Sequence, residues 1–303
     1  MSKIVHRPNI SGRIIYSVFF TFVVILIVLS GFLERAYAGD LKGELEKIIL
    51  ESENVEENLK GYLNPFSEIA GTSMSTGIFH RAAANSFPHI NLGINVINTD
   101  VPSGSRYFTD NNGIKHSTIF GDEKINSSDS FNGFGKNRLS LPIATFSIGL
   151  FTNFEFTLRY TKWDISEIGD ISLFGGGIKY ELIEMTPGSL IPVEMSVMAS
   201  YHFFHVDDYL ESGAFGMNLI VSRGFQPLPL NIYAGIGYVN SLLLLYTDKI
   251  VESGADFGEV SVDGVDGLRY QVGMGFNVMM FNIHADYNFG EYDSFSAGIL
   301  LEL

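Results

Sequence analysis

The sequence predicts an all-β chain: an antiparallel transmembrane β-barrel of about ten strands, preceded by an N-terminal helix and a plug-like segment. Three observations carry that expectation. An apolar leader with a cleavage site marks the chain for export. From Phe87 onward the side chains alternate with a period of two. The polar partner in that alternation is mostly Gly, Ser and Asn, where a soluble sheet would expose Lys and Glu.

The leader comes first. Lys3, Arg7 and Arg13 precede an apolar run from Ile14 to Leu29, and Ala36-Tyr37-Ala38 places small residues where a signal peptidase reads them. This is the layout of a secretory signal peptide over residues 1–38. An uncleaved anchor is the alternative, because the run approaches the roughly 20 residues a helix needs to cross a bilayer. The longest later apolar run is Leu242 to Leu245, so membrane crossing by the rest of the chain falls to strands.

The 303 residues include no cysteine, which excludes a disulfide scaffold and thiolate chemistry. Formal charge is −15, and removal of four basic residues and one acidic residue with the leader leaves 15 basic against 33 acidic residues, or −18. Nucleic acid is thereby excluded as a partner, since binding it requires Lys and Arg to neutralise phosphates.

Residues 39–61 read as an acidic periplasmic helix. Asp40 stands at its start, Leu41, Leu45, Ile48 and Ile49 recur at helical spacing, and Gly61, Asn64 and Pro65 are expected to end it. Residues 62–86 read as an extended plug at the lumen or its periplasmic mouth. Asn64 and its small polar neighbours would satisfy inward-facing groups, Phe66, Ile69, Met74, Ile78 and Phe79 would fill apolar gaps, and Pro65 belongs to the same segment.

Residues 87–303 read as the barrel. Ile90, Leu92, Ile94 and Val96 alternate with His89, Asn91, Gly93 and Asn95, and the pattern recurs from Phe154 to Thr161, Met195 to Phe203, Phe215 to Ser222 and Arg269 to Val278. Strands are expected at about 87–99, 138–150, 153–163, 170–182, 191–204, 213–224, 230–245, 267–280, 282–289 and 294–303. Twelve strands is the alternative if 101–137 or 246–266 hides a hairpin. These two longest loops carry Asp110, Asp122, Glu123, Asp129, Asp248, Glu252, Asp256 and Glu259 and are expected at the cell surface. Both ends of the barrel portion then lie on the short-turn, periplasmic side. Phe151, Trp163, Tyr180, Tyr201 and Tyr292 are candidates for interfacial girdles. Unpaired strand edges are too costly in hydrocarbon, so the sheet must close.

The alternation turns Glu155, Arg159, Glu194, His202, Arg269, His284 and Asp286 toward the lumen. Either their opposite charges pair and fill the interior, or they line a path and bias it by charge. Ten strands enclose little space, which favours filling. Catalysis, cofactors and metals are not expected. His202 and His205, beside Asp207 and Asp208, point to opposite faces of a strand. Gly175-Gly176-Gly177 lacks the strand-to-helix setting of a phosphate loop. No spacing singles out a Ser-His-acid trio.

The last eight residues run Ser296-Ala297-Gly298-Ile299-Leu300-Leu301-Glu302-Leu303 and resemble the C-terminal signal read by the barrel-assembly machinery. Ser296, Gly298, Leu301 and Leu303 hold its defining positions, although Phe or Trp is commoner than Leu at the end. The stretches Tyr62-Leu63-Asn64-Pro65-Phe66, Gly77-Ile78-Phe79 and Ile90-Asn91-Leu92-Gly93 resemble a functionally uncharacterised family of secreted bacterial barrel proteins, a likeness that implies a fold and no activity. A more distant likeness to outer-membrane long-chain fatty-acid transporters implies uptake of hydrophobic compounds, although this chain is shorter than they are.

The leading functional expectation is a barrel of the cell outer membrane, structural or slowly passing small or amphipathic solutes. Its partners would be outer-membrane lipids, the assembly machinery and such a solute. The competing expectation is a periplasmic β-rich lipid-binding protein whose apolar faces enclose the lipid.

Overall fold

A computed structural model describes residues 40–122, 131–151, 153–165, 168–182, 193–225, 227–251 and 258–303. The signal-peptide reading of residues 1–38 lies outside them, as do Glu123, Asp129, Glu252 and Asp256 of the acidic loops.

Ten strands form one closed antiparallel barrel. They are β1 (Ile90–Asp100), β4 (Arg138–Phe151), β5 (Phe154–Ile165), β6 (Gly169–Leu182), β7 (Glu194–Val206), β8 (Leu210–Phe225), β9 (Leu230–Tyr246), β10 (Glu259–Val278), β11 (Phe281–Phe289) and β12 (Ser294–Glu302). β1 pairs with β4 on one side and β12 on the other, which leaves no free edge for the sheet as a whole. The hairpin inside 101–137, β2 (Tyr107–Thr109) and β3 (Lys115–Ser117), forms a sheet of its own outside the barrel, so the count is ten and not twelve.

The outward row is apolar and exposed, with Phe174, Ile178, Phe203, Met217, Val272 and Met274 among its members. Water would penalise so wide a belt, whereas lipid does not. No described helix is long and apolar enough to cross a membrane. The closed sheet with this apolar outer belt is an outer-membrane barrel that crosses with its strands. A soluble lipid carrier would turn these faces inward around its ligand, which is the opposite arrangement.

The interior changes character along the barrel axis, and the sequence reading missed this. Toward the end bearing the 101–137 and 247–258 connections, here the loop end, the inward side chains are apolar: Ile171, Leu173, Phe204, Leu243, Leu245 and Val262 are all buried. Toward the other end, here the turn end, small and polar side chains such as Gly177, Lys179, Ser196, Ser222 and Asn231 prevail, around one small apolar cluster of Met198, Ile220 and Tyr233. β10 shows why this was hidden. A bulge between Asp263 and Asp266 shifts its register, so Val260 and Val262 face inward above the bulge while Val272 and Met274 face outward below it. The reversed parity concealed the first turn-free stretch of the strand, which starts at Glu259 and not near 267.

Of two helices, α1 (Leu41–Glu51) and α2 (Val55–Ser75), α2 fills the apolar upper lumen against β8, β9 and β10, and α1 packs on α2. The expected stop at Gly61, Asn64 and Pro65 does not occur, and α2 runs straight through Pro65. Proline removes one helical hydrogen bond and strains the turn before it, but Leu59, Tyr62, Leu63, Phe66 and Ile69 are wholly buried against the wall, and that burial outweighs the local cost. Gly61 is needed for contact: a β-carbon there would collide with the Phe108 ring of the β2–β3 hairpin. The first part of the plug-like segment is thus helical, and only the stretch after Ser75 is extended or irregular.

Both helices belong to the loop end, whereas the sequence reading placed the acidic helix below the turn end. Glu44 accepts hydrogen bonds from the backbone N–H and side chain of Asn132, and the Tyr62 hydroxyl donates to the Asn132 carbonyl at 2.9 Å. Leu41, Leu45 and Ile48 share one core with Ile119, Phe120, Tyr209 and Ile250 of the loops. Phe66 packs between Phe120 and Phe204, with ring centroids 6.2 Å and 5.9 Å away. Replacing Phe66→Ala is expected to cost about 3–5 kcal/mol, read as a lower temperature for conversion from the compact to the unfolded band on a gel. Phe215→Ala, on the outward face, is expected to leave that temperature nearly unchanged.

Candidate functional site: the plugged lumen

Below α2 the chain continues through the polar half of the barrel and enters β1 at the turn end. Its backbone groups along the way are taken up one after another by wall side chains, because a peptide group buried without a partner costs far more than the bond returns. The Arg159 guanidinium, from the middle of β5, donates to the Met74 carbonyl at 2.6 Å through Nη1 and to the Thr76 carbonyl at 2.8 Å through Nη2. These carbonyls close the C-terminal end of α2, where the helix dipole is negative and a cation is favoured. Asn95 donates to the Gly77 carbonyl at 3.3 Å and Asn231 to the His80 carbonyl at 3.3 Å.

The pattern continues to the turn end. The Ala82 N–H donates to Ser222 Oγ at 2.8 Å, and Ser222 donates in turn to Glu194 at 2.7 Å. The N–H groups of Ala84 and Asn85 donate to Glu181 at 3.0 Å and Glu155 at 2.9 Å. Glu155 pairs with Lys179 at 3.0 Å, both fully enclosed, and Arg81 pairs with Glu302 at 3.3 Å. Side chains of the plug add their own contacts: Ser73 Oγ and Thr99 Oγ1 are 2.7 Å apart, and Thr76 Oγ1 and Ser294 Oγ 2.8 Å apart.

The residues singled out from sequence fall as follows. Arg159, His202, Arg269, His284 and Asp286 are buried inside the barrel near mid-height, Glu155 is buried lower, and Glu194 is half-buried at the turn end. Arg159 and His202 lie 3.5 Å apart, and Arg269 donates to Asn218 at 3.2 Å. Asp286 accepts from Ser296, Tyr233 and Asn288, while His284 faces Asn95 and stacks on His80. His205 points the other way from His202 and pairs with Glu211 at 3.5 Å. In the plug, Asn64 binds Glu68 at 3.0 Å, Pro65, Phe66 and Met74 are buried in α2, and Phe79 packs edge-on against Tyr233. On β12, Ser296 and Gly298 face inward, while Leu301 and Leu303 alternate to the outer face.

The sequence reading missed Asn95, Thr99, Ser222, Asn231 and Ser294 as plug partners. Each was visible as a polar residue at an inward position, but nothing in the sequence told which of them meets a plug. Two of the girdle candidates also face inward: Trp163 shares the inward parity of Arg159, and Tyr292 is buried, donating to Glu68. Burial first, and then that hydrogen bond, raise the Tyr292 hydroxyl above its ordinary range. Between α2 and the β2–β3 hairpin the loop end holds a cleft of about 530 Å3 lined by Glu57, Lys60, Asn64, Glu68, Tyr107 and Tyr292, among others.

A family of unknown function, DUF6588, matches this sequence over residues 16–303. The chain belongs to that family. No curated protein matches it. Among solved structures, it is similar to the translocator domain of the autotransporter NalP from Neisseria meningitidis, with 9% identity, a TM-score of 0.38, and 83% of this chain and 99% of that one covered. It is similar also to the Ralstonia pickettii toluene transporter TbuX, with 7% identity, a TM-score of 0.28, and 77% and 93% covered. A Pseudomonas aeruginosa FadL homologue is similar at 11% identity and a TM-score of 0.24, with 80% and 96% covered. Likenesses so remote add nothing to the closed barrel of this DUF6588 protein.

Proposed function

We propose that this barrel is held shut by its own N-terminal segment and admits small solutes slowly, at a rate set by how far that segment yields. The observation that carries this reading is the continuous series of hydrogen bonds from Met74 to Asn85 into the wall. A mobile tether would leave those wall groups to water. Small polar solutes fit better than fatty chains, since Asn, Ser and charged side chains dominate the lower half of the lumen and its one apolar cluster, Met198, Ile220 and Tyr233, is already packed on Ile78, Phe79 and Ala82 of the plug. The assembly-signal role of Ser296, Gly298, Leu301 and Leu303 is part of the same proposal, as is the surface position of the loop end.

The test exploits the absence of cysteine. Ser73 on α2 and Thr99 on β1 are close enough, at 2.7 Å between hydroxyl oxygens, for the pair Ser73→Cys and Thr99→Cys to form a disulfide. Reconstituted in liposomes, the oxidised variant is expected to lose its residual uptake of a small solute, and the reduced form to regain it. Equal uptake by both forms means the plug does not control passage. A protein with no uptake in any form has a structural role only.

A further inference from the structure

We infer that the solutes this plug admits are small anions, selected at mid-height by Arg159 and Arg269. The inference rests on the plugged-passage reading and names its substrate class. Arg159 is 0% exposed and Arg269 6%, one near the middle of β5 and the other near the middle of β10. Two guanidiniums at membrane depth demand compensation, because an unpaired buried charge is far costlier than a paired one. Among the described residues, neither has a carboxylate within ion-pairing distance, although the lumen pairs Lys179 with Glu155 and Arg81 with Glu302 in that way.

Asp286 is the acid that interacts electrostatically with both arginines, but its oxygens are held by Ser296, Tyr233 and Asn288. What stands opposite the arginines is the C-terminal end of α2. Arg159 takes the Met74 and Thr76 carbonyls, and Arg269 reaches Thr76 Oγ1 at 3.5 Å. A helix end offers about half a negative charge, less than two cations require. Donor capacity is left over: the Nε atoms of Arg159 and Arg269, His202 Nδ1, and the hydroxyls of Ser75 and Ser200 are buried without a hydrogen-bond partner.

The plug end therefore occupies the place of an anion and fills it incompletely. When the segment withdraws, the wall at this height presents two arginines against one aspartate, and a passing anion replaces the carbonyls it displaces. A passing cation meets the same field as a barrier. In a narrow, low-dielectric passage such a field enriches the favoured ion roughly tenfold or more.

The experiment measures the reversal potential of full-length protein in a planar bilayer under a potassium chloride gradient. The native chain is expected to favour chloride over potassium by roughly tenfold. R159Q combined with R269Q is expected to open more often, having lost the plug's anchors, and to bring the ratio down to one or below. R159K combined with R269K keeps the charge and is expected to keep the preference, which holds the test open if the Gln pair does not assemble. Current without anion preference in the native chain, or a preference unchanged by the Gln pair, overturns the inference and leaves slow passage intact. Silence of every variant overturns the passage reading and this inference with it.

Discussion

An epitope placed immediately before Asp40 is expected to be bound by antibody on intact cells. The geometry behind this is unusual for a residue that precedes a first strand. The barrel portion begins at Ile90 and ends at Leu303, whose backbones exchange hydrogen bonds at the turn end. With ten antiparallel strands both of those ends share one side, and in bacterial outer-membrane barrels the short-turn side is periplasmic. The chain before Ile90 nevertheless reaches the loop end, since Glu44 of α1 holds Asn132 there and the helix shares one apolar core with Ile119, Phe120 and Ile250. It gets there by threading the lumen. Residues 76–89 can span at most roughly 45 Å when extended, enough to cross a hydrocarbon core of about 30 Å. A second epitope in the 227–229 turn is expected to be reached only after the outer membrane is permeabilised. Antibody binding at the turn and not before Asp40, on intact cells, would mean that the barrel sits the other way up.

Much of this architecture can be read from residues alone, and the failures have physical causes. β1, β7, β8 and β11 show themselves because a wall with lipid on one side and a packed interior on the other forces a period of two. Arg159, Arg269 and Asp286 could be assigned to the interior by parity alone. The bulge at Asp263 to Asp266 defeats the same logic, because one inserted irregularity exchanges the two faces of β10. Pro65 misleads for another reason: local stop signals report local costs, and the burial of Tyr62, Leu63, Phe66 and Ile69 is settled by walls far away in sequence. The apolar upper lumen was unreadable because Leu243 and Val262 look like ordinary strand residues. Only the helix packed on them explains why they do not face lipid. The position of α1 was misread because nearness in sequence to β1 was taken for nearness in space.

Deletion of residues 40–84 is expected to prevent stable assembly, rather than to leave an open pore. The deleted segment carries Leu41, Leu45, Ile48, Leu59, Leu63, Phe66 and Ile69, each buried to within 1% of complete. At about 1.5–3 kcal/mol for each fully buried apolar side chain, some ten such residues contribute on the order of 15–30 kcal/mol, before any discount for residual structure in the unfolded chain. That exceeds the roughly 5–15 kcal/mol by which a typical domain is stable. The deletion would also leave Phe204, Leu243, Leu245 and Val262 lining a water-filled vestibule, and would strip Arg159 of both its carbonyl partners. Strand closure through β1 and β12 lies outside the deleted stretch, so the loss is one of lumen packing and not of pairing. The expected result is a product that migrates identically with and without heating and is degraded by added protease, whereas the full chain shows a compact, resistant band. If the deleted chain instead gives a compact band as heat-stable as that of the full chain, the helices are not the core that this interior needs.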